Sequence, residues 1–304
     1  MSRSADFLYD VKSFIESQGS IADKLRLHSA GFHLAPSVLE QAFTHLRTII
    51  NDDGGLPFAL TRGNPSSVKE TSEILVLLLD IRDRPQDIVD RMVSFLVSRQ
   101  KGDGGFAETL NLRTLIEDRY GSSSTSEWYP VGKSITWLTG KALEALVLAG
   151  FKDEERISRG RDFLLYTQHE DGHWPAFKGA PVSDPLGTGN ILPALRAVGI
   201  NPEHRAYQSA RAALFQHLKD SVNRSWTYDM VDLASIDEIK TDAERSVVDQ
   251  GIALVIGTQN SDGGWSGAGS KKSDPELSSL LVLAVRRVSG LEQRSASTKK
   301  GKRK

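Results

Sequence analysis

Gln259-Asn-Ser-Asp-Gly-Gly-Trp265 closes one apolar, helix-period segment of this 304-residue chain and opens the turn into the next. The same phrase stands at Gln100-Lys-Gly-Asp-Gly-Gly-Phe106 and at Gln168-His-Glu-Asp-Gly-His-Trp174. Each copy has Gln, two variable residues, Asp-Gly, one further residue and an aromatic. Such self-similarity marks one supersecondary unit used repeatedly, and it sets the architecture before any single residue is interpreted. Weaker copies extend the series. Asn51-Asp-Asp-Gly-Gly-Leu56 keeps Asp-Gly-Gly with Ile50 in the Gln position, and Asp220 to Trp226 keeps only the aromatic. Asp53, Asp103, Asp171, Asn223 and Asp262 are then 50, 68, 52 and 39 residues apart, an irregular repeat near the size of a long helical hairpin.

Segments that lead into the phrases carry their apolar residues on one stripe: Leu39, Phe43, Leu46 and Ile50; Ile88, Met92, Phe95 and Leu96; Tyr207, Leu214 and Leu218. These are amphipathic helices with one wet face. Segments that follow the phrases, Ile74–Leu79, Leu143–Ala149 and Leu280–Val285, are apolar on nearly every side and must be enclosed by neighbours. The alternation predicts an all-α fold with outer amphipathic helices around inner apolar ones. Ser183-Asp184-Pro185 and Ser273-Asp274-Pro275 place cap-competent side chains before a proline that suits the first helical position. The stretch from Glu108 to Lys133 is long, contains Ser122-Ser-Ser-Thr-Ser126, and reads as an excursion over one end.

Composition excludes several classes. With 39% hydrophobic and 25% charged residues, the chain is an ordinary globular protein. Its net charge of −1 hides six basic residues from Arg294 onward, so the body carries about −7 and is a poor match for nucleic acid. The tail 294–304 lacks an apolar anchor and is expected to be disordered. The chain has no cysteine, which removes disulfides and thiolate zinc sites. The N-terminal residues show no signal h-region, and no run is long and apolar enough to span a bilayer, so a cytoplasmic location is expected.

The phrase Gln-x-x-Asp-Gly-Gly-Trp, with Asp274-Pro-Glu-Leu-Ser-Ser-Leu-Leu-Val-Leu-Ala284 after it, resembles the repeat of the prenyltransferase and squalene-hopene-cyclase superfamily. The resemblance covers about Val38 to Val285. It implies an α/α toroid of concentric helices in which the Gln/Trp turns tie adjacent outer helices together. On that reading residues 1–293 form one toroid of about six hairpins, with Ala5–Gln18 completing the outer ring. The turn chemistry suits the task. Glycine supplies the positive φ of a tight reversal, Gln offers donors and acceptors to helix ends, and the aromatic is buried.

Departures from the family pattern bear on function. Class II terpene cyclases of this group use an Asp-x-Asp-Asp acid at the rim of an inner helix, and no such sequence is present. Asp184 and Asp274 are the nearest candidates for a catalytic carboxylate and Asp229 the third, although a lone acid before proline is most simply a helix cap. The Asp/Cys/His zinc site of prenyltransferase β-subunits cannot form without cysteine. Asp80/Asp83, Asp87/Asp90 and Asp229/Asp232 put acids one turn apart without the doubled Asp of a diphosphate site. No cofactor is expected, with Mg²⁺ implied only by a diphosphate substrate. Trp137, Trp128, Tyr129, Trp226 and Tyr228 are the candidate substrate-binding aromatics, because ring faces stabilise cations; core packing explains them as well. His173 replaces a glycine of the phrase and reads as a turn residue.

Three functions remain open. The chain is an isoprenoid enzyme, of terpene cyclase or prenyltransferase type, holding an apolar substrate in the toroid cavity. Alternatively it is a non-catalytic toroid that binds a hydrophobic ligand or a partner protein. The third reading is a carbohydrate-active α/α barrel using Glu127, Trp128, Tyr129, Trp226 and Asp229 in an open cleft.

Overall fold

The repeat phrases act as staples, and their geometry explains the helix order. The computed structural model describes residues 7–267 and 269–301, with side chains through Leu291. In chain order the helices are α1 (Val11–Gln18), α2 (Ile21–Ser29), α3 (Pro36–Ile49), α4 (Val68–Leu79), α5 (Gln86–Arg99), α6 (Arg113–Tyr120), α7 (Ser124–Glu127), α8 (Thr136–Leu148), α9 (Glu154–Thr167), α10 (Pro185–Ala197), α11 (Arg205–Asn223), α12 (Asp242–Gly257) and α13 (Pro275–Gly301). Strand structure among the described residues amounts to two-residue pairings, Trp174–Pro175 with Ser183–Asp184 and Trp265–Ser266 with Ser273–Asp274, plus isolated bridges. The expected all-α class is therefore the observed one. The side chains expected to form a basic tail lie outside the described residues.

Two compact units emerge: Pro36–Ala213, and Met1–Ala35 together with Leu214–Lys304. In the first, α4 packs on α5 and α8, and α8 packs on α9 and α10. Helices α4, α8 and α10 are the enclosed ones, while α3, α5 and α9 bury a single stripe. In the second unit α13 is the enclosed helix. It packs against α1, α2, α12 and a 3-10 stretch, Thr227–Ser235.

Each staple works through the same atoms. Gln100 Nε2 donates to Gly104 O (3.1 Å) and to Arg156 O (2.9 Å) at the start of α9. Gln168 Nε2 does the same to Gly172 O and Ala206 O, both 2.9 Å, at the start of α11. Gln259 reaches Gly263 O (2.8 Å) and Tyr9 O (3.2 Å), and its Oε1 accepts from Tyr9 N–H (3.0 Å), just ahead of α1. Residues 9–18 thus occupy, within the second unit, the position that an outer helix takes after a phrase. The helix is shorter than Ala5–Gln18 because Asp10 caps it, accepting from Ser13 N–H at 3.0 Å. Glycine is obligatory at the close approach. Gly104 has φ +88°, and a Cβ there would lie 2.1 Å from Arg159 O.

One copy departs from the expectation. The residues from Asp220 make no turn of the staple type, because α11 runs through Asn223. Ser225 takes the left-handed conformation (φ 56°), and Trp226 stands 50% exposed where Trp174 and Trp265 are buried to 0% and 1%. The helix that should follow is replaced by the 3-10 stretch, unusually long for that geometry.

Candidate functional site

The enclosed helices begin alike, and the likeness is a ladder of hydroxyls. Ser66, Ser134 and Ser273 donate to the phrase carboxylates Asp53 (2.6 Å), Asp103 (2.8 Å) and Asp262 (2.8 Å). Ser183 bonds His169 Nδ1 (2.9 Å) and also Asp171. Five residues on, a second hydroxyl serves the end of the phrase. Leu56, Phe106 and Trp265 N–H groups donate to Thr71 (2.9 Å), Thr139 (2.9 Å) and Ser278 (2.8 Å), while Thr188 pairs with His173 Nδ1 (2.7 Å). These pairs align the helices residue for residue. Positions that repeat are scaffold, and positions that break the repeat are free for function.

Carboxyl groups break it at two helix starts in the first unit. Asp184 precedes α10 and is half-buried; burial pushes its carboxyl above the usual range, outweighing the pull of the Gly187 and Leu186 N–H groups. It lies beside Trp137, since a Cβ on Gly187 would be 3.4 Å from Asp184 Oδ2 and 3.6 Å from Trp137 Cβ. Glu70, in the first turn of α4, takes the position that is Leu138, Gly187 and Leu277 in the other helices. Its Oε1 accepts from Ala59 N–H (3.3 Å) and faces Lys69 Nζ (3.6 Å). Its Oε2 is buried and accepts no hydrogen bond among the described residues.

Glu108 ties the excursion to α4. This fully buried side chain accepts from Ser67 Oγ (2.7 Å), Val68 N–H (2.9 Å), Lys69 N–H (3.1 Å) and Tyr129 Oη (2.9 Å). Four donors favour the carboxylate, yet burial first, and then Glu70, carry its pKa upward. Burial does the same to the Tyr129 hydroxyl, with Glu108 adding to it. Tyr129 is also the centre of an aromatic cluster. It stacks on Trp128 (5.3 Å between centroids) and meets Trp137 edge-on (4.9 Å). Tyr120 touches both Trp128 (5.2 Å) and Tyr129 (6.1 Å), and Trp137 Nε1–H donates to Trp128 O (3.1 Å).

The sequence candidates therefore separate. Trp137, Trp128, Tyr129 and Asp184 share the first unit, and the first three are in contact. Asp274 is exposed and caps α13, accepting from Glu276 N–H (2.8 Å) and Leu277 N–H (3.2 Å). Asp229 is buried in the 3-10 stretch, where Ser221 Oγ donates to it (2.5 Å) and His217 Nε2 stands 3.5 Å away. Burial lowers the His217 pKa, against the opposing pull of Asp229. Trp226 and Tyr228 are half exposed, and Arg224 lies 4.8 Å over the Trp226 ring. His173 is a turn residue bonded to Thr188.

Glu70 and Glu108 were not singled out by motif. The signal that finds Glu70 is the Ser-x-x-x-x-Thr/Ser spacing at Ser66/Thr71, Ser134/Thr139, Ser183/Thr188 and Ser273/Ser278, which sets an acid opposite two leucines and a glycine. Nothing in the sequence marks Glu108, whose role depends on the excursion folding back. Among the described residues no three His, Cys, Asp or Glu side chains converge on a metal position. No helix among them is long and apolar enough to cross a membrane.

Comparison with known proteins places this arrangement. Residues 38–183 match the squalene-hopene cyclase C-terminal domain family. Drimenyl diphosphate synthase of Streptantibioticus cattleyicolor is 25% identical over 215 residues, which is 66% of this chain and 36% of that one. Lanosterol synthase of Saccharomyces cerevisiae is 36% identical over 80 residues, 26% of this chain and 10% of its own. A variant of the type II terpene cyclase MstE from Scytonema, in complex with its substrate geranylgeranyl dihydroxybenzoate, aligns with a TM-score of 0.65 at 13% identity, covering 89% of this chain and 87% of that one. A second MstE variant, bound to its product merosterolic acid A, aligns at 0.60 with 14% identity, covering 89% and 86%. The fold is the α/α toroid of those cyclases. The chain spans about a third of the length of the drimenyl enzyme and a tenth of lanosterol synthase.

Proposed function

We propose that this chain, whose residues 38–183 match the squalene-hopene cyclase C-terminal domain family, binds an isoprenoid and cyclises it by acid initiation. The observation that carries the reading is Asp184, a half-buried carboxyl with a raised pKa, at the start of an enclosed helix and beside Trp137. A carboxyl that keeps its proton to higher pH is the donor a terminal alkene needs. Its O–H proton passes to the alkene carbon, leaving a carboxylate and a tertiary carbocation. Ring closure moves the positive charge along the chain, and loss of a proton from carbon ends it. The Trp137, Trp128 and Tyr129 rings supply quadrupole stabilisation to the moving charge.

Glu70 and Glu108 support this site in different ways. Glu108 fixes the start of α4 and, through Tyr129, the aromatic cluster. The Glu70 Oε2 atom is a buried carboxyl oxygen that accepts from no donor among the described residues.

The test is turnover with prenyl diphosphates and squalene-like polyenes. Cyclised product is expected from the wild type, with at least a hundredfold less from Asp184→Asn, and activity should fall as pH rises through the raised Asp184 pKa. Ligand-dependent thermal stabilisation without product would replace this reading with the non-catalytic one. Full activity in Asp184→Asn would remove Asp184 from the reaction.

A further inference from the structure

The second glycine of each phrase fixes the register of the outer helix that follows. A Cβ on Gly55, Gly105 or Gly264 would lie 2.7, 2.8 or 2.6 Å from the ring of Phe95, Phe163 or Phe14, so those phenylalanines correspond in α5, α9 and α1.

In that register α9 departs from its counterparts around one ring. Three residues after the phenylalanine stand Ser98 and Ser17, whose hydroxyls donate back to Phe95 O (2.6 Å) and Phe14 O (3.0 Å). The matching residue of α9 is Tyr166, 84% exposed. One position further, Arg99 lies 4.7 Å over Phe95 and donates to Asp53 (2.9 Å). In α9 that position is Thr167, whose hydroxyl turns back to Phe163 O (2.8 Å), so no arginine covers the Phe163 ring from its own helix. Within the phrase, Gly102 stands where other copies have Asp52, Glu170 and Ser261, and a Cβ there would meet nothing within 4 Å.

Gly102, Phe163 and Tyr166 line one cavity of about 220 Å³, together with Arg159 and Lys178. Its remaining charges are already engaged. Lys178 donates to Asp103 Oδ2 (3.2 Å), whose Oδ1 accepts from Ser134 (2.8 Å), and Asp162 accepts from Arg161 (2.8 Å). Arg159 differs. Its counterpart Arg91 donates to Asn51 O (2.8 Å), whereas the Arg159 guanidinium donates no hydrogen bond among the described residues and its Nε is buried. The Glu155 carboxylate that faces it stands 4.0 Å away on a side chain 84% exposed, an arrangement that contributes little.

We infer that this cavity binds a small aromatic anion, a single ring bearing a carboxylate or a phosphate, with the anionic oxygens on Arg159 and the ring against Phe163 and Tyr166. A guanidinium presents five donors in a planar fork that matches such a head group. Offset and edge-on contacts with the two rings favour a flat, aromatic body over a saturated one. The volume is below the roughly 300–1,000 Å³ of drug-sized pockets, which restricts the ligand to one ring and its head group. Neither Asp184 nor the Trp128, Tyr129 and Trp137 cluster lines the cavity, so the inference is independent of the isoprenoid reading.

Isothermal titration calorimetry of the full chain with phenyl phosphate, benzoate, cyclohexanecarboxylate and inorganic phosphate tests it. The aromatic anions should bind more tightly than the saturated or ringless ones, and the phenyl phosphate and benzoate arms identify the head group. Arg159→Met should weaken binding about tenfold or more by removing the charge-assisted bonds. Tyr166→Ser, which installs the residue of α5 and α1, should weaken it about three- to tenfold through the lost ring contact. Circular dichroism melts check both folds; should Arg159→Met misfold, the exposed Tyr166→Ser site carries the comparison. No binding of either aromatic anion at millimolar concentration overturns the inference. So does inorganic phosphate binding as tightly as phenyl phosphate, or wild-type affinity in a folded Arg159→Met or Tyr166→Ser variant.

Discussion

Ser183-Asp184-Pro185 and Ser273-Asp274-Pro275 are the same three residues at the start of two enclosed helices, yet the two carboxyls have opposite fates. Asp274 is exposed and caps α13 through two backbone N–H groups. Asp184 is half-buried beside Trp137, with the Gly187 and Leu186 N–H groups pulling on its carboxyl, and burial raises its pKa. The residue that distinguishes them is three further on. Gly187 carries no side chain, and a Cβ there would lie 3.4 Å from the Asp184 carboxyl and 3.6 Å from Trp137 Cβ. The matching position of α13 is Leu277, buried at 4% exposure, and Asp274 there is exposed. One side chain thus separates a structural cap from a candidate acid.

The largest test of this comparison removes the side chain that fills α13. Leu277→Ala should destabilise the second unit by about 2–5 kcal/mol, the usual cost of truncating a buried leucine. The matching change in α10, Gly187→Ala, should instead stabilise by about 0.5–1 kcal/mol. It adds helix propensity, and its Cβ meets neighbours no closer than 3.4 Å. Urea denaturation of both variants measures the contrast. Similar changes of the same sign would mean that the two helix starts do not differ in packing.

The scaffold was far more legible in the sequence than the site. Three phrases with Gln, Asp-Gly and an aromatic recur because the turn needs a left-handed glycine against a carbonyl and an amide that bridges two helices. Both demands restrict residue type, so they leave a pattern. The Ser66/Thr71 ladder leaves a five-residue spacing in the sequence, but it was not read there, because only the hydrogen bonds to the phrases show which hydroxyls correspond. Asp184 and Asp274 could not be told apart from their tripeptides, since burial is decided by Gly187 and Leu277 and by neighbours on another helix. Glu108 was illegible for a similar reason: its four donors come from Ser67, Val68, Lys69 and Tyr129, which the excursion brings together only in three dimensions. Trp226 shows the opposite limit. Its spacing suggested a staple, but without the Gln and the Asp-Gly before it nothing turns the ring inward.

A smaller effect is expected at the cap itself. Asp274→Ala should cost about 1 kcal/mol by leaving the Glu276 and Leu277 N–H groups without their acceptor, whereas Asp274→Asn should change stability by a few tenths, since Asn caps nearly as well. Neither change should affect turnover. A large loss of product in Asp274→Asn, with stability intact, would make the exposed acid the catalytic one and reverse the assignment.

The smallest change in stability, and the finest test, concerns the charge on Asp184. Its folded pKa is raised above the ordinary 3.8, so the folded protein holds that proton more tightly than the unfolded chain. Its stabilising contribution is therefore complete below the ordinary value and is lost as pH rises through the raised one. Asp184→Asn should abolish that loss and be the more stable protein at pH 7, which would mean that the wild type sacrifices stability to keep a half-buried acid. Gly187→Leu should have the same effect for a different reason, because a leucine side chain beside the carboxyl pushes it out to cap α10 as Asp274 caps α13. Urea denaturation from pH 3 to 7 on the wild type and both variants reads this directly. If Gly187→Leu keeps the wild-type pH dependence, the missing side chain is not what buries Asp184, and the origin of its raised pKa must be sought in the Trp137 side of the site.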